Sequence, residues 1–176
     1  MAPTKTGPQD DYALSRLKVA ASPLYLRDAE VQRGVALLLL GQSHLLRAID
    51  PELRAAGIGR AHSRMLGHVV RWPGLTMGDL IDLTGTTKQA LSRVARDLVQ
   101  RGLVEITPGA LDKRRREVRP TAEGEALSVR IDEALGRAMA HAYSGAGQDA
   151  VTGFWHVLEG LVPVSTRMQM ARLAKG

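Results

Sequence analysis

Cysteine is absent from the 176 residues, and aromatic side chains are scarce. Without cysteine, the chain has no disulfide, no thiolate nucleophile, no thiol-based redox sensor and no cysteine-ligated metal site. Aromatic residues make up only 3% of the sequence and are scattered along it. Because proteins that read single-stranded nucleic acid stack bases on aromatic rings, this scarcity disfavours that class of function.

Long hydrophobic runs are also lacking. The longest aliphatic run, residues 35–40 (VALLLL), is far shorter than the ~20 residues that cross a bilayer. The polar N-terminal stretch has no apolar core of a signal peptide. Motifs of zinc and serine hydrolases are absent, and the five histidines form no obvious metal set. We therefore expect a cytoplasmic protein that is not an enzyme, has no membrane partner and holds no metal or other cofactor.

The positive charge is concentrated in one part of the chain. The net charge is +6, and residues 86–121, with nine basic and four acidic side chains, account for +5 of it. A local cationic patch indicates a local anionic partner.

Hydrophobic periodicity predicts a mainly α-helical fold with a small β-hairpin. The predicted helices span about 28–49, 58–71, 76–83, 86–101 and 121–142, followed by a last helical region interrupted near Pro163. The hairpin strands are predicted at 103–107 and 116–119. Asp28 is the expected N-cap of the first helix, Asp50-Pro51 its end, and Thr86 with Gln89 the capping box of the fourth. Two helices joined by a glycine-bearing turn and followed by a hairpin are typical of a winged helix-turn-helix.

The sequence further predicts a division into four parts. Residues 1–22 form a flexible arm, 23–57 an N-terminal dimerisation helix with its connector, 58–120 the winged helix-turn-helix lobe, and 121–176 the C-terminal dimerisation helices. Residues 35–40 are apolar on every face of their helix, and such a helix needs cover on two sides. A second subunit would supply that cover, so a homodimer is expected.

The helix that begins near Thr86 has the pattern of one that enters the DNA major groove, which admits a single α-helix. Leu91, Val94 and Leu98 are expected to face inward. The opposite face is polar and cationic, and it is expected to contact double-stranded DNA: Lys88, Gln89 and Arg93 at base edges, and Thr87, Ser92 and Arg96 at phosphates. Alternatively, this face is an ordinary solvated surface.

The hairpin tip concentrates four cations on one turn, which favours a phosphate or minor-groove contact over a merely solubilising loop. Asp112 is expected to pair with Arg114 or Arg115 and to fix its direction. The predicted DNA-binding residues of this wing are Asp112, Lys113, Arg114, Arg115 and Arg116. A winged-helix module that binds a protein, without sequence-specific DNA binding, is the alternative function.

Four segments together resemble the MarR family, the multiple-antibiotic-resistance regulators: 75–80 (LTMGDL), 90–94 (ALSRV), 98–104 (LVQRGLV) and 112–124 (DKRRREVRPTAEG). Asp112 and Arg114 fall on the family's wing-tip aspartate and arginine, and Thr121 and Gly124 on its threonine-x-x-glycine. Glu117 and Pro120 depart from the family pattern, which predicts a short second wing strand.

The resemblance implies a ligand-responsive repressor that binds a pseudo-palindromic operator as a homodimer, with two recognition helices in successive major grooves. The dimer would be built from the first and the last two helices. A small-molecule effector would lie between those helices and the winged lobe. The candidate effector residues are His44, His68, Arg71 and Trp72, since an aromatic ring beside a cation suits an aromatic carboxylate. Alternatively, Trp72 closes the core and the histidines are structural.

Overall fold

The computed structural model describes residues 27–109, 115–164 and 166–168. These residues fall into two compact units, divided between His44 and Leu45. The helices are α1 (Asp28–Arg47), α2 (Asp50–Ala56), α3 (Arg60–Arg71), α4 (Met77–Thr84), α5 (Lys88–Gln100), α6 (Ala122–Ser144) and α7 (Gln148–Leu161). The strands are β1 (Leu75–Thr76), β2 (Val104–Pro108) and β3 (Arg116–Pro120). In the described part of the chain, no helix is long and apolar enough to cross a membrane.

The first unit consists of most of α1. The sequence predicted Asp28 as the N-cap of this helix, and that prediction is wrong. Asp28 lies in the first turn, where a negative charge is favourable. The residue before it, Arg27, donates its backbone N–H to the Glu30 carboxylate at 3.1 Å. No residue of α1 is buried, and Leu37, Leu39 and Leu40 keep 59%, 60% and 61% of their surface exposed.

The sequence predicted that a helix ends at Asp50-Pro51 and that a connector follows. Instead, a second helix, α2, begins at Asp50. Proline is compatible with a helix start, since a residue of the first turn needs no backbone N–H donor. The helix ends at Gly57, which adopts a left-handed φ of 63°, and the Ile58 N–H then donates to the Leu53 carbonyl at 2.9 Å.

The core of the second unit forms where α3, α4, α5, α6 and the sheet meet. The side chains that are at most 1% exposed are Met65, Leu66, Val69, Leu80, Leu98, Val118 and Leu127. On α3, Ala61 is exposed, whereas Leu66 is buried. Trp72 is 8% exposed and belongs to this core.

The hairpin is part of a three-stranded antiparallel sheet in the order β1-β3-β2. The sequence did not predict β1, in which Leu75 lies opposite Val118 of the central strand. The second wing strand is also longer than predicted, because all five residues of β3 pair with β2. Pro120 lies at the end of that strand, and Glu117 accepts from Arg119 at 2.8 Å, so neither departure from the family pattern interrupts the pairing.

The beginning of α6 is fixed directly after the sheet. The Thr121 hydroxyl accepts from the Gly124 N–H at 3.1 Å and donates to the Gly102 carbonyl at 2.6 Å. Gly124 packs so tightly that a Cβ would overlap the Leu103 carbonyl oxygen and lie 3.0 Å from its carbon. These contacts join the wing to the long helix without a flexible linker.

The last two helices are buried only in part. On α6, Leu127 and Ile131 are buried, whereas Ala142 is exposed. No residue of α7 is buried, and this helix exposes Phe154, Trp155, Val157 and Leu161. The predicted interruption near Pro163 is confirmed, because α7 ends at Leu161.

Candidate nucleic-acid interface

The helix-turn-helix consists of α4, a short turn and α5. Thr76 caps α4: its hydroxyl accepts from the Asp79 N–H at 3.2 Å, and the Asp79 carboxylate accepts from the Thr76 N–H at 2.8 Å. Gly85 ends α4 in a left-handed conformation (φ 61°) that glycine adopts without strain. The turn then leads directly into α5.

The predicted start of α5 is wrong by one residue. Thr87, not Thr86, is the N-cap, and its hydroxyl accepts from the Ala90 N–H at 3.3 Å. Thr86 is engaged elsewhere, since its hydroxyl accepts from Nη2 of Arg64 at 3.3 Å and lies 3.5 Å from the Thr84 carbonyl. The two adjacent threonines therefore have different structural roles.

The face of α5 opposite the core carries the predicted contact residues. Leu91, Ala95 and Leu98 are buried, and Val94 is half-buried. Thr87, Lys88, Gln89, Arg93 and Arg96 are exposed, and Ser92 is half-buried.

Three of the four charged side chains of α5 are cations. Among the described residues, no carboxylate forms an ion pair with Lys88, Arg93 or Arg96. Asp97 is the helix's acidic residue, and its carboxylate lies 3.3 Å from Nε2 of His62 on α3. The exposed face of α5 is thus polar and cationic.

The structure describes the two strands of the wing, 104–108 and 116–120, and the residues next to them, 109 and 115. Asp112, Lys113 and Arg114 lie outside the described residues, so the pairing predicted for Asp112 stays a prediction. Arg115 and Arg116 are exposed. Nη2 of Arg115 lies 3.6 Å from the carboxylate of Asp79, the residue that completes the α4 capping box. The base of the wing is therefore close to the start of the helix-turn-helix.

Sequence reasoning missed one cation next to this surface. Arg64 is exposed on α3, and its contact with Thr86 places its guanidinium beside the start of α5. No periodicity in the sequence reveals this proximity, because it depends on how α3 packs against α5.

The structure brings three of the four predicted effector residues together. The rings of His68 and Trp72 are nearly parallel, with centroids 5.9 Å apart, and the guanidinium of Arg71 lies 5.9 Å from the Trp72 ring centroid. Burial lowers the pKa of His68 below its ordinary value, and the positive charge of Arg64 lowers it further. His44 lies on α1, in the first unit.

An open cleft of about 460 Å³ lies elsewhere in the second unit. None of the four predicted effector residues lines it. Its lining consists of Ala56, Arg101, Leu103, Glu123, Ala126, Leu127 and Arg130. Both arginines already have partners, since Arg101 donates to the Ala56 carbonyl at 3.5 Å and Arg130 to the Glu52 carboxylate at 3.2 Å.

Known proteins are similar to this chain in sequence and in fold. A family model described as "MarR family" matches residues 56–115. The HTH-type transcriptional regulator PetP of Rhodobacter capsulatus is 38% identical over 144 residues, which cover 82% of this chain and 87% of the relative. A crystal structure of MarR has a TM-score of 0.63 at 21% identity and covers 85% of this chain and 98% of its own. A mutant MarR from E. coli complexed with operator DNA has a TM-score of 0.61 at 22% identity, covering 81% of this chain and 100% of its own.

Proposed function

Because this chain belongs to the MarR family of winged helix-turn-helix transcription regulators, we propose that it represses transcription by binding a pseudo-palindromic operator as a homodimer. It is a DNA-binding regulator and not an enzyme. In this proposal α5 enters the major groove, and the wing contacts the backbone or the minor groove. The predicted division into arm, dimerisation segments and lobe, and the cytoplasmic location, stay part of the proposal.

The cationic face of α5 is the observation that carries the DNA-binding role. Some exposed arginines of the second unit are paired with a carboxylate, such as Arg130 with Glu52 at 3.2 Å and Arg137 with Glu133 at 3.7 Å. Lys88, Arg93 and Arg96 have no such partner among the described residues and project from a helix whose other side is buried. A phosphate backbone supplies the missing negative charge.

The roles within this surface follow from the position of each residue on α5. Residues in the first turns of a recognition helix reach base edges, so Lys88, Gln89 and Arg93 are proposed to read sequence. Thr87, Ser92 and Arg96 are proposed to contact phosphates, as are Arg115 and Arg116 at the base of the wing. The same role is proposed from sequence for Lys113 and Arg114, with Asp112 directing an arginine of the tip.

The test compares Arg93→Ala with Arg137→Ala, which removes the same charge from α6. The probe is a duplex selected from genomic fragments that the wild-type protein retains, with a random duplex beside it. We expect Arg93→Ala to weaken binding to the selected duplex by about 1–3 kcal/mol and to relax its sequence preference. Arg137→Ala is expected to leave both unchanged. A wild-type protein that prefers no duplex would favour the protein-interaction module instead.

The homodimer is proposed because two helices expose large apolar side chains to water, which is unfavourable unless another surface covers them. Helix α1 exposes Leu37, Leu39 and Leu40, and α7 exposes Phe154 and Trp155. In the second unit, Trp155 donates to the Tyr143 hydroxyl at 3.0 Å, so its ring is oriented for contact before any partner arrives. We expect a dimer in sedimentation, and a monomer for Leu39→Glu. Val99→Glu, at an apolar residue of α5 that is 41% exposed, is the control expected to stay dimeric.

The response to a ligand is proposed to involve His68, Arg71 and Trp72 of the second unit, and the part predicted for His44 stays a sequence prediction. A guanidinium next to an indole ring suits a ligand that carries both a carboxylate and an aromatic ring. Benzoate is a simple probe of this chemistry, and we expect it to weaken DNA binding by the wild-type protein but not by Arg71→Ala. Equal weakening of both proteins would place the effector elsewhere.

A further inference from the structure

Arg64 is a cation outside the segments that carry the proposed DNA-binding residues. It lies in the middle of α3, is exposed, and donates from Nη2 to the Thr86 hydroxyl at 3.3 Å. Thr86 immediately precedes Thr87, the N-cap of α5. The contact therefore holds a guanidinium against the part of the lobe where α5 begins.

In the described part of the chain, Arg60 has a carboxylate partner and Arg64 has none. Arg60, one turn earlier on the same helix, donates to both carboxylate oxygens of Asp50, at 3.1 and 3.3 Å. Within the described ranges, no ion pair involves Arg64. A guanidinium has five N–H donors, and the bond to Thr86 uses one of them. No other acceptor for Arg64 is found among the residues that the structure describes, so its remaining N–H groups are available to a further one.

The positive charge of Arg64 also acts on a histidine of the same helix. The pKa of His68 is lowered first by burial and then by Arg64, which lies one turn before it on α3.

We propose that Arg64 binds a phosphate of the DNA backbone beside the groove that α5 enters, a contact that rests on the proposed DNA binding. A guanidinium and a phosphate form two parallel N–H···O bonds, which are among the stronger hydrogen bonds in proteins. Such a contact carries no sequence information but sets the depth and the orientation of the recognition helix. The hydrogen bond to Thr86 holds the Arg64 side chain in place before DNA binds.

The test measures the affinity of Arg64→Ala for duplex DNA at several salt concentrations, with Arg60→Ala as the matched control. The control removes the same charge from the same helix, but from a side chain already paired with Asp50. We expect Arg64→Ala to bind both selected and random duplexes about tenfold more weakly. Because each phosphate contact contributes about −0.9 to the slope of log K against log salt, a dimer that loses two contacts should have a slope less negative by about 1.8. Arg60→Ala should leave both the DNA affinity and the salt slope nearly unchanged.

Two further measurements separate a phosphate contact from a purely structural role. Arg64→Lys is expected to restore most of the salt slope, because an ammonium also binds phosphate, whereas loss of the lobe's packing would not be rescued. In the wild-type protein, DNA binding is expected to raise the pKa of His68, followed by NMR, since the phosphate neutralises Arg64. If Arg64→Ala does not fold, Arg64→Gln replaces it in the comparison with Arg64→Lys.

The outcomes distinguish this inference from the proposed function. If the wild-type protein binds no duplex, the proposed function fails, and the phosphate contact fails with it. If the wild-type protein binds and Arg64→Ala keeps its affinity and its slope, only the Arg64 contact is refuted.

Discussion

Gly124→Ala is expected to destabilise the second unit, although alanine is the better helix former. The alanine Cβ would overlap the carbonyl oxygen of Leu103 and lie 3.2 Å from Cδ1 of Leu66. That oxygen cannot easily move away, because it accepts from the Thr121 N–H at 3.2 Å and belongs to the residue before β2. The added methyl must therefore displace either α6 or the start of the wing.

The magnitude follows from three contributions. Overpacking of a filled site costs about 1–3 kcal/mol. Weakening the bond from Thr121 to Leu103 costs on the order of 1 kcal/mol more. The higher helix propensity of alanine offsets about 1 kcal/mol. The expected loss in the free energy of unfolding is thus about 2 kcal/mol.

Gly136→Ala is the control on the same helix, since a Cβ there meets nothing within 4 Å. It should stabilise the protein by about 0.5–1 kcal/mol through helix propensity alone. Both variants are compared with the wild-type protein by urea unfolding at one protein concentration, because the stability of a dimer depends on concentration. The reasoning is refuted if Gly124→Ala is as stable as Gly136→Ala.

Three other predictions concern the helix-turn-helix and its surroundings. Thr87→Ala removes the N-cap of α5 and should cost about 1 kcal/mol of stability in urea unfolding, whereas Thr86→Ala, which removes no cap, should cost less. Asp79→Ala removes both the α4 capping box and the partner of Arg115; we expect a stability loss of about 1 kcal/mol together with weaker DNA binding, and unchanged binding would show that this pair does not orient the wing. The pKa of His68 is lowered in the folded protein, so the unfolded chain takes up a proton first, near pH 6.5. Stability should therefore be complete above that pH and fall as the pH drops below it, until the folded His68 is also protonated; thermal unfolding of His68→Gln should lack this part of the pH dependence.

Much of the lobe could be predicted from the sequence because its signals are local. The buried stripe of α5 recurs at helical spacing, and the capping box of α4 joins residues only three positions apart. The start of α5 was less well predicted, since Thr86 and Thr87 both match a capping residue. In the structure Thr86 accepts from Arg64, and Thr87 is the cap.

The features that were missed depend on contacts between distant parts of the chain. Strand β1 has two residues and no periodicity, and it exists because Leu75 pairs with Val118, far along the chain. Helix α2 was missed because Pro51 indicates equally well the end of one helix and the first turn of the next. The position of Arg64 beside α5 likewise follows from tertiary packing.

The central position of β3 limits how a signal can act on the lobe. This strand carries the chain back from the wing, and it is hydrogen-bonded on one side to its hairpin partner and on the other to the residues that precede α4. The wing and the start of the helix-turn-helix are therefore joined by one continuous sheet. In the proposed homodimer, a signal that leaves this sheet intact would change the spacing or the tilt between the two lobes, and not the angle between the wing and α5 within one lobe.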